Sequence, residues 1–246
     1  MEREKSINYP MKELIDRYMM ELHKLKNLIE QIKLLKIINQ KSVKDKKFLL
    51  EKEKNIEIYY APFDYINSKA KIVIVGITPG LQQMLQSYEV INQRKSLKEV
   101  KDLSSFKGSM RTGLIKYLDE LKINDILKIK SCESLFNKNS NYLHTTSLVK
   151  YPVFDKGKNY SGANILKKKI LLDFIEKNFL EELKTLKKSI IIPLGNTVSS
   201  TIEYLNNKYN LKLVCFLKGF PHPSGANARK NIQFKENKMT MIKLLK

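Results

Sequence analysis

The sequence predicts an α/β fold: a three-layer α/β/α sandwich with a central, mostly parallel four-stranded sheet, preceded by an N-terminal helical extension. Three observations predict it. Apolar runs at residues 71–75, 142–149, 189–194 and 211–217 are short and rich in β-branched residues, as strands buried on both faces are. Segments with helical spacing separate these runs, and alternation of strands with helices closes a parallel sheet covered on both sides. The first and last runs end in Gly/Pro-punctuated loops, GITPG at 76–80 and GFPHPSGAN at 219–227. Both loops fall at the carboxyl edge of such a sheet, where open α/β folds hold their sites.

Length and composition bound the rest. The 246 residues suffice for one α/β domain over 56–246 with an appendage over 1–55. A formal net charge of +21 favours a polyanionic partner such as DNA, because neutralised phosphates release condensed counterions. A Lys-, Ile- and Asn-rich composition can equally reflect genome base composition. The two cysteines, Cys132 and Cys215, allow neither a disulfide framework nor a four-thiolate cluster. Without an apolar leader or a membrane-length apolar run, the expectation is a reduced, cytoplasmic protein with no membrane partner and no cofactor.

Taken in order, residues 6–10 form a short lead-in. Residues 11–38 carry Leu14, Ile15, Tyr18, Leu22, Leu25, Ile29 and Ile32 at helical spacing. That long helix either docks on the main domain, giving a monomer, or forms a coiled-coil dimer seam; His23 in it has no partner at ligand spacing. The charged stretch 41–54 reads as a second, solvated helix, with contact to a DNA backbone as the other reading. Residues 56–65 combine β-forming aromatics with Pro62 and read as an edge segment before the first central strand.

After the strand at 71–75 and its turn, 81–91 is helical, and its free N–H groups behind Gly80 suit a phosphate. Residues 95–107 read as a basic mobile loop, 113–121 as a helix, and 142–149 as the second strand. The apolar spacing over 161–187 predicts one long helix or two joined near Asn178. The third strand at 189–194 leads through Gly195 into a helix ending about Leu205. The fourth, at 211–217, delivers the 219–227 loop, and a basic helix over 231–245 closes the chain.

The order of these motifs resembles the uracil-DNA glycosylase superfamily. VGITPGL at 75–81 is similar to the VGINPGL turn of the mismatch-specific enzymes. FKGSM at 106–110 and TSLVKYP at 146–152 resemble segments of the iron–sulfur branch, as does IIIPLGNTV at 190–198; HPSGAN at 222–227 resembles the HPS loop. Each match is short, but the five stand in the family's order, while the first 55 or so residues have no counterpart. The resemblance implies a glycosylase that extrudes a nucleotide and hydrolyses its N-glycosidic bond, either in repair or in defence against foreign DNA. It makes His222 the donor to the departing base and Phe106 the aromatic stacked on it; Ile77 and Ser147 line the pocket, with His144 beside them. Ser224 and Gly225 hold phosphate, and Asn227 or Arg229 wedges into the vacated gap.

Two positions depart from the pattern. Thr78 stands where relatives place a water-positioning Asn or an acid; its hydroxyl orients water but is no general base near neutral pH, so a carboxylate such as Asp64 or Glu89 would have to assist. Ser147 replaces the Asn that reads uracil, which opens the pocket toward a bulkier or modified pyrimidine. The cysteine count excludes the iron–sulfur cluster, and no lysine stands out as a Schiff-base nucleophile. The rival readings are a catalytically weak recognition protein and a hydrolase of free nucleosides.

Overall fold

The computed structural model describes residues 11–245; the lead-in at 6–10 lies outside them. Helices α1 (Met11–Lys33) and α2 (Gln40–Val43) precede an antiparallel hairpin, β1 (Leu49–Glu53) and β2 (Ile56–Tyr59). β3 (Ile72–Gly76) is followed by α3 (Leu81–Asn92), α4 (Leu97–Ser104), α5 (Gly108–Glu120) and α6 (Ile123–Leu127). Then come β4 (Leu143–Ser147) and a second hairpin, β5 (Val153–Asp155) and β6 (Lys158–Asn159). α7 (Lys169–Phe174) and α8 (Leu180–Thr185) are joined by a π-helical turn, Ile175–Phe179, that contains Asn178. β7 (Ile190–Pro193), α9 (Asn196–Tyr209), β8 (Cys215–Phe216) and α10 (Lys230–Leu244) complete the chain.

The parallel sheet has the order β4-β3-β7-β8. Successive side chains of β3 point to opposite faces, and both faces are buried. Ile72 and Ile74 enter a core with Leu114, Tyr117 and Leu118 of α5 and Phe234 and Met241 of α10. Val73 and Val75 enter a second core with Met84 and Tyr88 of α3, Leu183 of α8, and Val198 and Ile202 of α9. Helices thus cover both faces of a four-stranded parallel sheet, as the alternation predicts. Burying each such aliphatic side chain contributes roughly 1.5–3 kcal/mol. Among the described residues, no helix is long and apolar enough to cross a membrane.

A second, antiparallel sheet of order β1-β2-β5-β6 corrects two expectations. The stretch 41–54 is not a second helix: after the short α2 it becomes β1, whose charged residues lie exposed on an edge strand. Nor is β2 an edge segment, because it pairs on both sides and buries Ile56, Ile58 and Tyr59. The turn between β1 and β2 puts Lys54 at φ 53°, so a boundary at 55–56 bisects a hairpin. Residues 95–107 are not a loop either: α4 is amphipathic, opened by Ser96, whose hydroxyl accepts the Glu99 N–H while the Glu99 carboxylate accepts the Ser96 N–H. The fourth central strand shrinks to two residues.

α1 ends at Lys33, where Asn92 donates to the carbonyls of Ile32, Lys33 and Leu35. Its C-terminal half docks through buried Leu28 and Ile32, whereas Ile15, Tyr18, Met19 and Met20 are exposed.

Candidate functional site

The carboxyl ends of β4, β3 and β7 present Ser147, Gly76 and Gly195 in adjacent positions, and the 219–227 loop follows β8 beside them. Neighbouring strands lie about 4.8 Å apart, so these three ends span roughly 10 Å. The loop is pinned to β7, since Gly195 N–H donates to Phe220 O at 3.0 Å. A Cβ on Gly195, whose φ is +87°, would lie 3.3 Å from His222 Cβ, so glycine admits both the turn and the close approach of the histidine.

The histidine is held in a defined tautomer. Its Nδ1 accepts the Ser224 N–H at 3.3 Å and faces the Ser224 hydroxyl at 2.9 Å. An Nδ1 occupied as acceptor leaves the proton on Nε2, which is therefore a free donor. Burial, and then the charge of Lys230, push the imidazole below its ordinary pKa, so it is neutral at pH 7. Lys230 also donates to Pro223 O and Ser224 O, and Asn227 Nδ2 donates to His222 O and Gln233 Oε1, which fastens the loop to α10. Ser224 and Asn227 are thus engaged in positioning the loop. Gly225 and Arg229 lie exposed at its tip, where Arg229 keeps the reach expected of a wedge.

Phe106 and Ser147 meet as the motifs imply. A Cβ on Gly76 would lie 3.4 Å from Ser147 Oγ and 3.9 Å from Phe106 Cζ. Both side chains line a recess of about 310 Å³ together with Phe63, Pro79, Lys101 and Lys150. Phe106 has φ +43°, a conformation bulky residues adopt only under constraint. The constraint is Arg111, which sequence reading missed. Its Nε donates to Phe106 O at 2.6 Å and its Nη2 to Ser105 O at 2.9 Å, while the guanidinium lies 4.8 Å from the centre of the Phe136 ring.

Other candidates lie elsewhere. Thr78 Oγ1 donates to Tyr151 O at 2.8 Å and accepts from Val153 N–H at 3.1 Å, so the hydroxyl ties the 76–80 turn to the start of β5. Ile77 packs away from the recess, close to Gly162 and Thr197. The N–H groups expected to be free at α3 are taken: Gly80 N–H donates to Gln83 Oε1 and Leu81 N–H to Asn159 Oδ1 on β6.

His144 is buried behind β4. Its Nδ1 accepts the Asn67 N–H at 3.3 Å, so its Nε2–H donates to Glu182 Oε1 at 2.7 Å. It lines a neighbouring recess with Tyr65 and Phe136. Burial, then Lys101, hold its pKa below the ordinary value of 6.5. The unfolded chain therefore takes up this proton more readily than the folded one, so the stability His144 contributes is present above pH 6.5 and is lost as pH falls toward the folded pKa. A His144→Gln variant, which keeps a donor and an acceptor but cannot titrate, should lose less of its melting temperature between pH 7.5 and 5 than the unaltered protein. Parallel thermal scans decide this, and equal slopes would refute it.

His144 belongs to a buried cluster of charge. Burial alone would raise the Glu182 carboxyl, yet Lys101, the His144 hydrogen bond and Lys150, whose Nζ is 3.3 Å from Oε2, hold it well below the usual range. The Lys101 amine is fully buried, donates to Thr145 O on the edge strand β4 at 3.0 Å, and has its pKa pushed down to about 8 by burial. Contrary to the sequence reading, one lysine does stand apart.

Of the two carboxylates considered from sequence, Glu89 is exposed on α3. Asp64 accepts Tyr60 OH at 2.9 Å and Tyr151 OH at 2.7 Å. Burial raises its pKa against the pull of Tyr151 and Lys150.

No protein-family model matches the sequence. The chain is 38% identical over 203 residues to the uncharacterized protein YoxB of Bacillus subtilis (strain 168), an alignment that covers 78% of this chain and 79% of YoxB. With that identity sustained over more than three quarters of both proteins, the chain belongs to the same family as YoxB.

Proposed function

We propose that the protein is a DNA glycosylase with a uracil-DNA glycosylase-like fold, acting on a modified or damaged pyrimidine. The observation that carries this reading is His222: a neutral imidazole with Nδ1 occupied and Nε2–H free, at the same sheet edge as the recess where Phe106 and Ser147 meet. In such a reaction the bond between C1′ and the base nitrogen breaks and the base leaves with the electron pair. Negative charge then collects on a base oxygen, where a preorganised neutral donor stabilises it without solvent reorganisation. Water adds to C1′ and loses a proton, leaving an abasic site and a free base. Phe106 offers the extruded base a stacking face, and Ser147 with its neighbours meets the base edge. The net charge of +21 suits the DNA backbone.

Because the Thr78 proton is donated to Tyr151 O, water activation falls to a carboxylate, and Asp64 is the one whose raised pKa and place beside Lys101 and Lys150 suit that role. The same engaged Thr78 hydroxyl favours a second reading, a glycosylase-like protein that recognises unusual DNA without cleaving it.

The readings separate on a panel of duplexes containing uracil, thymine mismatches, hydroxymethylated cytosine or glucosylated bases, scored for alkali-labile abasic sites. The glycosylase reading expects cleavage on at least one member. Tight, salt-sensitive binding with no abasic sites anywhere would replace it by the recognition reading.

A further inference from the structure

We infer that the recess beside Phe106 takes a pyrimidine whose ring substituent carries negative charge, a carboxylate being the simplest. The inference rests on the reading that an extruded base enters this recess. The lining is rich in donors and poor in acceptors. Lys101 and Lys150 both face the recess, as do the side chains of Thr146 and Ser147. The Lys101 ammonium has three hydrogens and makes one hydrogen bond, to Thr145 O. Thr146 is more than nine-tenths buried, and its hydroxyl has no partner at all. A buried donor left unmatched is costly, so such a lining favours a ligand that brings acceptor oxygens.

The cluster's own carboxylates are directed elsewhere: Glu182 toward His144 and Lys150, Asp64 toward Tyr60 and Tyr151. A neutral carbonyl would satisfy a hydrogen bond, but only an anion also offsets an ammonium shielded from water. The exocyclic amine of cytosine, a donor, would be disfavoured against these groups.

The test is equilibrium binding of free uracil, 5-hydroxymethyluracil and 5-carboxyuracil, run beside base release from the DNA panel. In the unaltered protein 5-carboxyuracil should bind about tenfold or more tighter than either neutral base, as expected for a charge-assisted hydrogen bond in a shielded site. In Lys101→Met, checked for folding by circular dichroism, that preference should disappear. Equal or tighter binding of the neutral bases, no binding of 5-carboxyuracil at millimolar concentration, or a preference that survives in folded Lys101→Met would each overturn the inference. The two readings fail separately. Lys101-dependent binding of the carboxylated base without base release from any DNA would keep this inference and remove the glycosylase. Release of neutral bases with no preference for the carboxylated one would do the reverse.

Discussion

Replacing His222 with alanine is expected to slow base release by roughly a hundredfold or more, the cost of removing one preorganised donor from a developing anion. Stability should change little, because the interactions that fasten the loop run through backbone carbonyls and through Lys230 and Asn227, not through the imidazole Nε2. The variant therefore separates chemistry from folding: single-turnover rates should collapse while the denaturation midpoint stays near that of the unaltered protein. An unchanged rate would remove His222 from the catalytic role. A large loss of stability would assign the histidine to the scaffold.

The second large effect is on folding. Glu182→Ala removes the one carboxylate that faces His144 and Lys150, and leaves those groups and Lys101 as uncompensated charge and donors inside the protein. Breaking a buried pair in this way costs roughly 3–5 kcal/mol. Glu182 is 1% exposed, so solvent cannot step in as it does at a surface pair. Urea denaturation at pH 7 measures the loss directly. A change below about 1 kcal/mol, the range of exposed pairs, would mean that water reaches the cluster.

The parts of the fold legible in the sequence are those whose signal is local. Four apolar runs gave the parallel sheet because strands buried on both faces need continuous Ile and Val, and helices α3, α5, α9 and α10 showed through their apolar spacing. The antiparallel sheet was missed because its strands are short and β1 is charged; its pairing depends on residues about 100 positions away, such as Ile58 with Val153. Two local signals were present. Lys156 and Gly157, both at positive φ, make the two-residue turn between β5 and β6, and Ser96 with Glu99 is a capping box inside the stretch read as a loop.

The site divides in the same way. His222, Phe106 and Ser147 were legible because they stand in short motifs at strand ends. The partners that give them their properties were not: Ser224 fixes the histidine tautomer and Arg111 holds Phe106 at positive φ. The roles assigned to Thr78 and Gly80 failed for a related reason. A hydroxyl or an N–H that looks free in sequence can be taken by a residue 70 or more positions downstream, here Tyr151 and Asn159.

The most direct measurement of the central claim is detection by mass spectrometry of the free base released from modified-pyrimidine DNA, run in parallel with His222→Ala. The account predicts free base in amounts matching the abasic sites formed, with the signal nearly lost in the variant. Intact DNA, with no free base from either protein while both bind it tightly, would contradict it.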